Sequence, residues 1–137
     1  NFTGIKFTDN DLYLFGQLVD RSGGALNVIS GPDQMALPAM VMGADAAIGT
    51  TYNIMPEIYL QMRRAFEEND LANARAHQVN ANRVIRVLIQ VGVLAGIKQM
   101  LADRGTPVGP TRIVPYLDEA EANALRNSLA ELDFEIC

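Results

Sequence analysis

The sequence of 137 residues contains little of what several common kinds of functional site require. It has one cysteine, Cys137, which excludes an internal disulfide framework and a cysteine-rich zinc site. It has one histidine, His77, which excludes metal motifs built on a histidine pair. Lysine and arginine together number 11 against 16 acidic residues, and the resulting net charge of -5 argues against nucleic acid or an anionic membrane as a partner.

Longer features are missing as well. No apolar run approaches the roughly 20 residues that span a bilayer, and no secretory leader is recognisable, so we expect a cytoplasmic protein. The sequence has no Gly-x-Gly-x-x-Gly segment, no P-loop and no cluster of metal ligands, so no cofactor is expected. The chain opens with Asn1-Phe2-Thr3 and enters an apolar segment at once, which we interpret as the start of a segment cut from a larger protein.

What the sequence does contain is a short cycle that repeats three times in its first half. Hydrophobic residues make up 49% of the chain and charged residues 20%, enough for one core of ordinary size. Apolar or β-branched runs over 4–8, 25–30 and 46–51 each lead into a helical pattern. Strands that alternate with helices predict a parallel sheet with crossover helices.

The three helices of this half have recognisable starts and ends. They are predicted to begin near Asp11, Gln34 and Pro56, and Gly23 and Asn69 are expected to end the first and the third. Their apolar stripes are Leu12, Phe15 and Leu18 in the first, Leu37, Met40 and Val41 in the second, and Ile58, Met62, Ala65 and Phe66 in the third.

The second half contains helical patterns only. A long helix opens it, and Gly92 and Gly96 are expected to bend or break that helix. Residues 94 to about 102 are predicted to form a separate helix. Three prolines over 105–116 indicate a surface crossing. Asp118 and Glu121 form a variant of the capping box at the start of a last helix. The apolar stripe of that helix is Leu125, Leu129 and Leu132.

These elements predict an α/β protein in two parts, with three βα units over 1–70 and a helical extension over 71–137. A complete (β/α)8 barrel takes about 250 residues, so this chain is too short to close one. We therefore expect either a small open sheet or the carboxyl-terminal part of a TIM barrel.

Lys6 is the residue with the most informative position. Side chains alternate between the faces of a strand, so Lys6 and Thr8 share one face while Ile5 and Phe7 share the other. If the apolar pair packs on the helices, Lys6 points into the barrel lumen, where desolvation lowers the pKa of its amine. A neutral amine in a cavity can attack a carbonyl and form a Schiff base. The alternative is a lysine at the exposed end of a strand.

Polar residues follow the second and third strands. Gly31 allows a sharp turn or close approach of a ligand, and Asp33, beside Gln34, could accept hydrogen bonds from sugar hydroxyls. Asp33 could equally cap the helix that follows. The hydroxyls of 49–53 suit a polyol or a carboxylate, and the alternative for them is a polar turn before a helix.

These segments together resemble one family. Gly-Ile-Lys-Phe-Thr-Asp over 4–9, Ser-Gly-Pro-Asp-Gln over 30–34, Gly-Ala-Asp over 43–45, Ile-Gly-Thr-Thr-Tyr-Asn over 48–53 and the glycine-containing 92–98 have the order and spacing found in N-acetylneuraminate lyases. These lyases belong to the dihydrodipicolinate synthase superfamily of class I aldolases. The lysine is shared by the whole superfamily, and 49–53 is the segment most similar to the lyases.

The resemblance implies a (β/α)8 barrel with three added carboxyl-terminal helices, usually a homotetramer, of which this chain matches strands six to eight and the extension. It implies that Lys6 forms an imine with pyruvate, so that N-acetylneuraminate is cleaved reversibly to N-acetylmannosamine and pyruvate. Sialic acid and pyruvate are thus the expected small-molecule partners. The positions implied on the sugar side of the pocket are Thr8, Gly31, Asp33, Gln34 and Thr50, with Leu94 as a wall residue.

The sequence departs from the family pattern at two positions. Many lyases have Glu where this chain has Gln34, and many have Ser where it has Thr50. In the family, the loop that holds the pyruvate carboxylate and the tyrosine that shuttles the proton lie in the amino-terminal half and match no residue here. We therefore expect the isolated chain to be inactive. The alternatives are another pyruvate-dependent aldolase, a dihydrodipicolinate synthase-like enzyme, or a half-barrel fragment without activity.

Overall fold

The computed structural model describes residues 1–113, 116–132 and 134 of the chain. These residues form two compact units, the first made of Asn1–Gly49 and Glu57–Gln78 and the second of Thr50–Pro56 and the chain from Val79 onward. Pro115, expected in the surface crossing, and the unpaired Cys137 lie outside the described residues.

The first unit contains the predicted parallel sheet. Its strands are β1 (Gly4–Phe7), β2 (Asn27–Ser30) and β3 (Ala46–Ala47), in the order β1-β2-β3. Both neighbouring pairs are parallel, and Lys6 is paired with Ile29 across β1 and β2.

The third strand is shorter than the sequence predicted. At its start, where structure and prediction agree, the backbone N–H of Val28 donates to Oδ2 of Asp45 at 2.7 Å. At the other end, the Ile48 N–H still donates to the Ser30 carbonyl at 2.9 Å. A 3-10 helix over Thr50–Asn53 then replaces the predicted continuation of the strand.

Helix α1 (Leu12–Ser22) follows its local signals. The Oδ1 atom of Asp11 accepts a hydrogen bond from the Leu14 N–H at 2.9 Å, which caps the helix. Gly23 ends it in the left-handed conformation, at φ 53°.

The core of the first unit lies on the helix-covered face of the sheet. Phe15 of α1, Val28 of β2 and Ala39 are buried together, and the ring of Phe7 meets that of Phe15 edge-on with 5.6 Å between centroids. Because side chains alternate along a strand, Lys6 lies on the opposite face from Phe7.

The second predicted helix begins differently from expectation. A 3-10 helix over Asp33–Met35 precedes α2 (Ala36–Val41). Its tighter rotation of about 120° per residue turns the following helix, so that Ala36 and Ala39 are buried. Of the predicted stripe, Leu37 and Met40 are only half-buried, and Val41 is 60% exposed, so its prediction as a buried residue is wrong.

Two longer helices follow. Helix α3 (Pro56–Glu67) opens on proline as predicted and is followed by Asn69, which has a φ of 61°. Of its predicted stripe, only Met62 and Ala65 are buried, together with Tyr59. Helix α4 (Leu71–Val91) begins after Asp70, whose Oδ1 accepts from the Asn73 N–H at 3.1 Å.

The part of α4 from Val79 onward belongs to the second unit, and Gly92, which has a φ of 87°, separates it from α5 (Val93–Asp103). Gly96 lies inside α5 and does not interrupt the helical pattern, so of the two glycines only Gly92 acts as expected. The separate helix predicted over 94–102 is present as α5. A β-carbon on Gly96 would lie 2.8 Å from Cδ2 of Leu88, so glycine here allows close packing of two helices.

The last helix, α6 (Glu119–Ala130), has the predicted capping box, with Asp118 and Glu121 bonding reciprocally. Leu125 and Leu129 are buried, but Leu132 lies beyond the end of the helix and is 37% exposed, so the predicted stripe is one residue too long. Within the described residues, no single helix is long and apolar enough to cross a membrane. Helices α4 and α5, bent by 107° at their junction, reach that length and composition only as a pair.

Candidate active site

The carboxyl ends of the strands bring the predicted site residues of the first unit to one edge of the sheet. Because all three strands are parallel, the residues that follow them emerge at the same edge. The Gly31 N–H donates to the Phe7 carbonyl at 2.8 Å, which places Gly31 directly beside Thr8.

Lys6, Thr8 and Gly31 meet at this edge. A β-carbon placed on Gly31 would lie 3.0 Å from Cε of Lys6 and 2.8 Å from Cβ of Thr8, and it would overlap the Thr8 hydroxyl. Gly31 does not have a left-handed backbone, so the requirement for glycine comes from space alone. The side chain of Lys6 therefore packs against the α-carbon of Gly31.

Lys6 is not enclosed in this chain. The sequence led us to expect a buried amine in a barrel lumen, but the residue is exposed, as is Thr8. Side chains in a lumen are covered by the strands on the opposite side of a closed barrel, whereas the sheet of the described residues has three strands.

The chain has only one other lysine, Lys98 of α5. The Nζ of Lys98 donates to the carbonyls of Gly109 and Pro110, each at 3.0 Å. This side chain thus holds the surface crossing after α5. Of the two amines, Lys6 is the one at the carboxyl end of a strand.

Asp33 is buried, with 8% of its surface exposed, and its carboxylate lies against the backbone of Gly49. A β-carbon on Gly49 would lie 2.7 Å from Oδ2 and would overlap the rest of the carboxyl group. The cap positions of the two short helices, Pro32 and Met35, provide no side-chain cap. Gln34, the next predicted residue, is exposed.

Sequence reasoning missed Gln78. Its side chain is buried in the first unit, where Oε1 accepts from the Leu37 N–H at 2.8 Å and Nε2 donates to the Asp33 carbonyl at 3.3 Å. A single glutamine in a helical pattern carries no signal of such a role, because its partners are 41 and 45 residues away.

The two remaining predicted site residues belong to the second unit. Thr50 is exposed at the start of its 3-10 helix, and its carbonyl accepts from Nδ2 of Asn53 at 2.8 Å. Leu94 is 39% exposed in the first turn of α5. In the part of the chain that the structure describes, no group of three or more His, Cys, Asp or Glu side chains could hold a metal ion.

A parallel sheet with crossover helices on one face, and a lysine with small and polar residues at its carboxyl edge, is the arrangement of part of an α/β barrel. The chain belongs to the dihydrodipicolinate synthetase family, whose sequence model matches residues 1–132. The resemblance stated from the sequence is therefore confirmed at the level of the family.

Individual relatives carry a more specific name. The chain is 40% identical over 132 residues to an N-acetylneuraminate lyase of Rhizobium meliloti, covering 95% of this chain and 44% of that protein. Among solved structures, it is similar to a Clostridium difficile protein, CdNal, in complex with mannosamine (TM-score 0.88, 25% identity, 95% of this chain and 45% of the other). It is also similar to an N-acetylneuraminate lyase of Fusobacterium nucleatum complexed with pyruvate (TM-score 0.87, 27% identity, 95% and 44%).

The chain thus spans less than half the length of these proteins. Three strands matched over about 45% of the neighbours are consistent with part of a barrel.

Proposed function

We propose that this chain is the part of an N-acetylneuraminate lyase that carries the imine-forming lysine and one wall of the sugar site. The protein to which it belongs would cleave sialic acid reversibly to N-acetylmannosamine and pyruvate. The names of its relatives and the pyruvate and mannosamine bound in similar structures support this proposal.

The observation that carries it is the position of Lys6. Its Cε lies beside Gly31 at the carboxyl edge of the sheet, the edge at which barrel enzymes place their catalytic groups. The amine attacks the keto carbon of the substrate and water leaves, which forms the imine.

The imine then serves as the electron sink. The bond between the pyruvate carbons and the sugar carbons breaks, and its electron pair moves toward the imine nitrogen to form an enamine. The hydroxyl on the sugar carbon gives its proton to the tyrosine that the resemblance places outside this chain, and that carbon becomes the aldehyde of N-acetylmannosamine. The enamine then takes a proton at carbon, and water hydrolyses the resulting imine to release pyruvate and the free amine of Lys6. No cofactor is required, because the protonated imine provides the electrophile.

The sugar side of the pocket is proposed to comprise Thr8, Gly31, Asp33, Gln34, Thr50 and Leu94. Thr8 and Asp33 offer a hydroxyl and a carboxylate, which suit the hydroxyls of a polyol. The contact of Thr8 with Gly31 beside Lys6, and the position of Asp33 beside Gly49, support the assignment in the first unit.

The larger architecture follows from the same proposal. The chain would supply strands six to eight of the barrel over 1–70 and the helical extension over 71–137. The pyruvate-carboxylate loop and the proton-shuttling tyrosine would come from the part of the protein that this chain does not match, and the complete enzyme would be a tetramer.

A second candidate is a related pyruvate aldolase with another acceptor, such as a dihydrodipicolinate synthase-like enzyme. The neutral Gln34 favours this reading, because many lyases have a charged Glu there. Gln34→Glu in the complete enzyme separates the two. A variant that uses sialic acid better than the unaltered enzyme would indicate that the native sugar acid differs.

The main proposal is tested by trapping the imine. The complete protein is treated with pyruvate and borohydride, and the reduced adduct is located by mass spectrometry. The adduct is expected on Lys6, absent from Lys6→Arg and retained in the matched control Lys98→Arg. Labelling of Lys98, or no adduct in the unaltered protein, would overturn the assignment.

A further inference from the structure

Gln78 provides a cap for a helix to which it does not belong. Leu37 lies in the first turn of α2, where backbone N–H groups have no partner within the helix. Met35, at the cap position, offers no side chain for this purpose. The Oε1 of Gln78, from α4, accepts from the Leu37 N–H at 2.8 Å.

The nitrogen of the Gln78 side-chain amide bonds to Asp33, the first residue of the 3-10 helix that precedes α2. Nε2 of Gln78 donates to the carbonyl of Asp33 at 3.3 Å. One buried side chain, 7% exposed, therefore bonds both ends of the segment from Asp33 to Leu37. Because a buried amide without partners is costly, these hydrogen bonds stabilise both the position of the Gln78 side chain and the conformation of the segment.

The segment between these two bonds carries two of the polar residues that the proposed function assigns to the sugar. Asp33 and Gln34 lie within the 3-10 helix of Asp33–Met35, and the carboxylate of Asp33 has little room because Gly49 lies against it. A small rotation of this turn would move the Asp33 carboxylate and change which sugar hydroxyl it can reach.

We propose that Gln78 is a positioning residue that sets the orientation of Asp33 and Gln34 for the polyol part of the substrate. This inference rests on the proposed function. The two bonds of Gln78 to this segment go to backbone atoms, so its loss should weaken use of the sugar acid without affecting formation of the pyruvate imine.

The test compares variants of the complete enzyme. Gln78→Leu removes both hydrogen bonds, Gln78→Glu keeps the acceptor for Leu37 and loses the donor to Asp33, and Gln90→Leu makes the same change at an exposed position of the same helix. Gln78→Leu is expected to raise the KM for sialic acid about tenfold, the scale of two lost hydrogen bonds. Gln78→Glu should give a smaller increase, and Gln90→Leu none. Trapping of pyruvate by borohydride and kcat should stay within about twofold of the unaltered enzyme.

Hydrogen exchange of the peptide containing Leu37 provides an independent readout, and exchange there should accelerate in Gln78→Leu but not in Gln90→Leu. Gln78→Met, which preserves the length of the side chain, replaces Gln78→Leu if that variant does not fold. Faster exchange with an unchanged KM would overturn the positioning role, and so would a parallel fall in pyruvate trapping. An unaltered enzyme that forms the adduct but cleaves no sialic acid would instead overturn the proposed function, while the exchange experiment would still report whether Gln78 holds the turn.

Discussion

The carboxylate of Asp33 and the backbone of Gly49 lie so close together that no β-carbon fits between them. Asp33 begins the 3-10 helix that follows β2, and Gly49 follows β3. Since Gly49 does not have a left-handed backbone, only this contact requires glycine at the position. Through this contact, Gly49 restricts the orientation of Asp33, a residue proposed to bind the sugar.

Gly49→Ala should therefore displace Asp33 without disturbing Lys6. Overpacking of this kind costs about 1–3 kcal/mol. We expect a lower midpoint of thermal unfolding and a lower kcat/KM for sialic acid in the complete enzyme, with the pyruvate adduct on Lys6 retained. Gly23→Ala is a useful comparison. A β-carbon at this position meets open space, so the alanine strains only the left-handed backbone. Equal loss of sugar use in both variants would contradict the steric explanation.

Asp33→Ala should separate sugar binding from pyruvate binding. If Asp33 binds sugar hydroxyls, its loss leaves a polar contact unpaired, worth about 1–3 kcal/mol of transition-state binding, or about 5- to 150-fold in kcat/KM. Adduct formation with pyruvate should remain nearly normal. Steady-state kinetics and borohydride trapping on the same preparation measure both effects. If trapping falls as much as kcat/KM, Asp33 is structural or acts on pyruvate.

The pair of Asp103 and Arg126 should make stability depend on pH in the acid range. Arg126 donates to both carboxylate oxygens of Asp103 at 2.9 Å, and these hydrogen bonds hold the pKa of Asp103 below its ordinary value of 3.8. A lowered pKa in the folded state adds stability that is fully present above the unfolded value and is lost as the pH falls through the folded value. Asp103→Asn should therefore lower the unfolding midpoint near neutral pH, and its difference from the unaltered protein should shrink below about pH 4. A difference that stays constant down to about pH 2 would contradict the role of this charge.

The chain of 137 residues should not be an active lyase by itself. It supplies the proposed nucleophile and part of the sugar wall, but its sheet has three strands and leaves Lys6 exposed. Exposed strand edges and the 52% exposed Ile48 favour self-association. We expect no release of pyruvate from sialic acid and an oligomer by light scattering. Activity should appear when the part of the proposed enzyme that this chain does not match is added in trans. Turnover of about 1 per second or more from the chain alone would contradict the expected inactivity. A stable monomer would contradict the expected self-association.

The sequence was sufficient for features that depend on neighbouring residues. The cap at Asp11, the end of α1 at Gly23 and the capping box of Asp118 with Glu121 all have the predicted geometry. Such features are governed by backbone conformation and by hydrogen bonds over three or four residues, which a sequence displays directly. The parallel sheet and the face on which Lys6 lies followed from strand periodicity and alternation.

The tertiary structure decided what distant parts of the chain do to each other. No local signal predicted the orientation of α2 or the burial of Asp33 against Gly49. The same holds for the bonds from Gln78 to Leu37 and Asp33, which lie 41 and 45 positions earlier in the chain. The exposure of Lys6 is of the same kind, because burial of a strand residue depends on which other strands cover its face. Periodicity assigns a residue to a face, whereas only the packed chain determines what lies opposite that face.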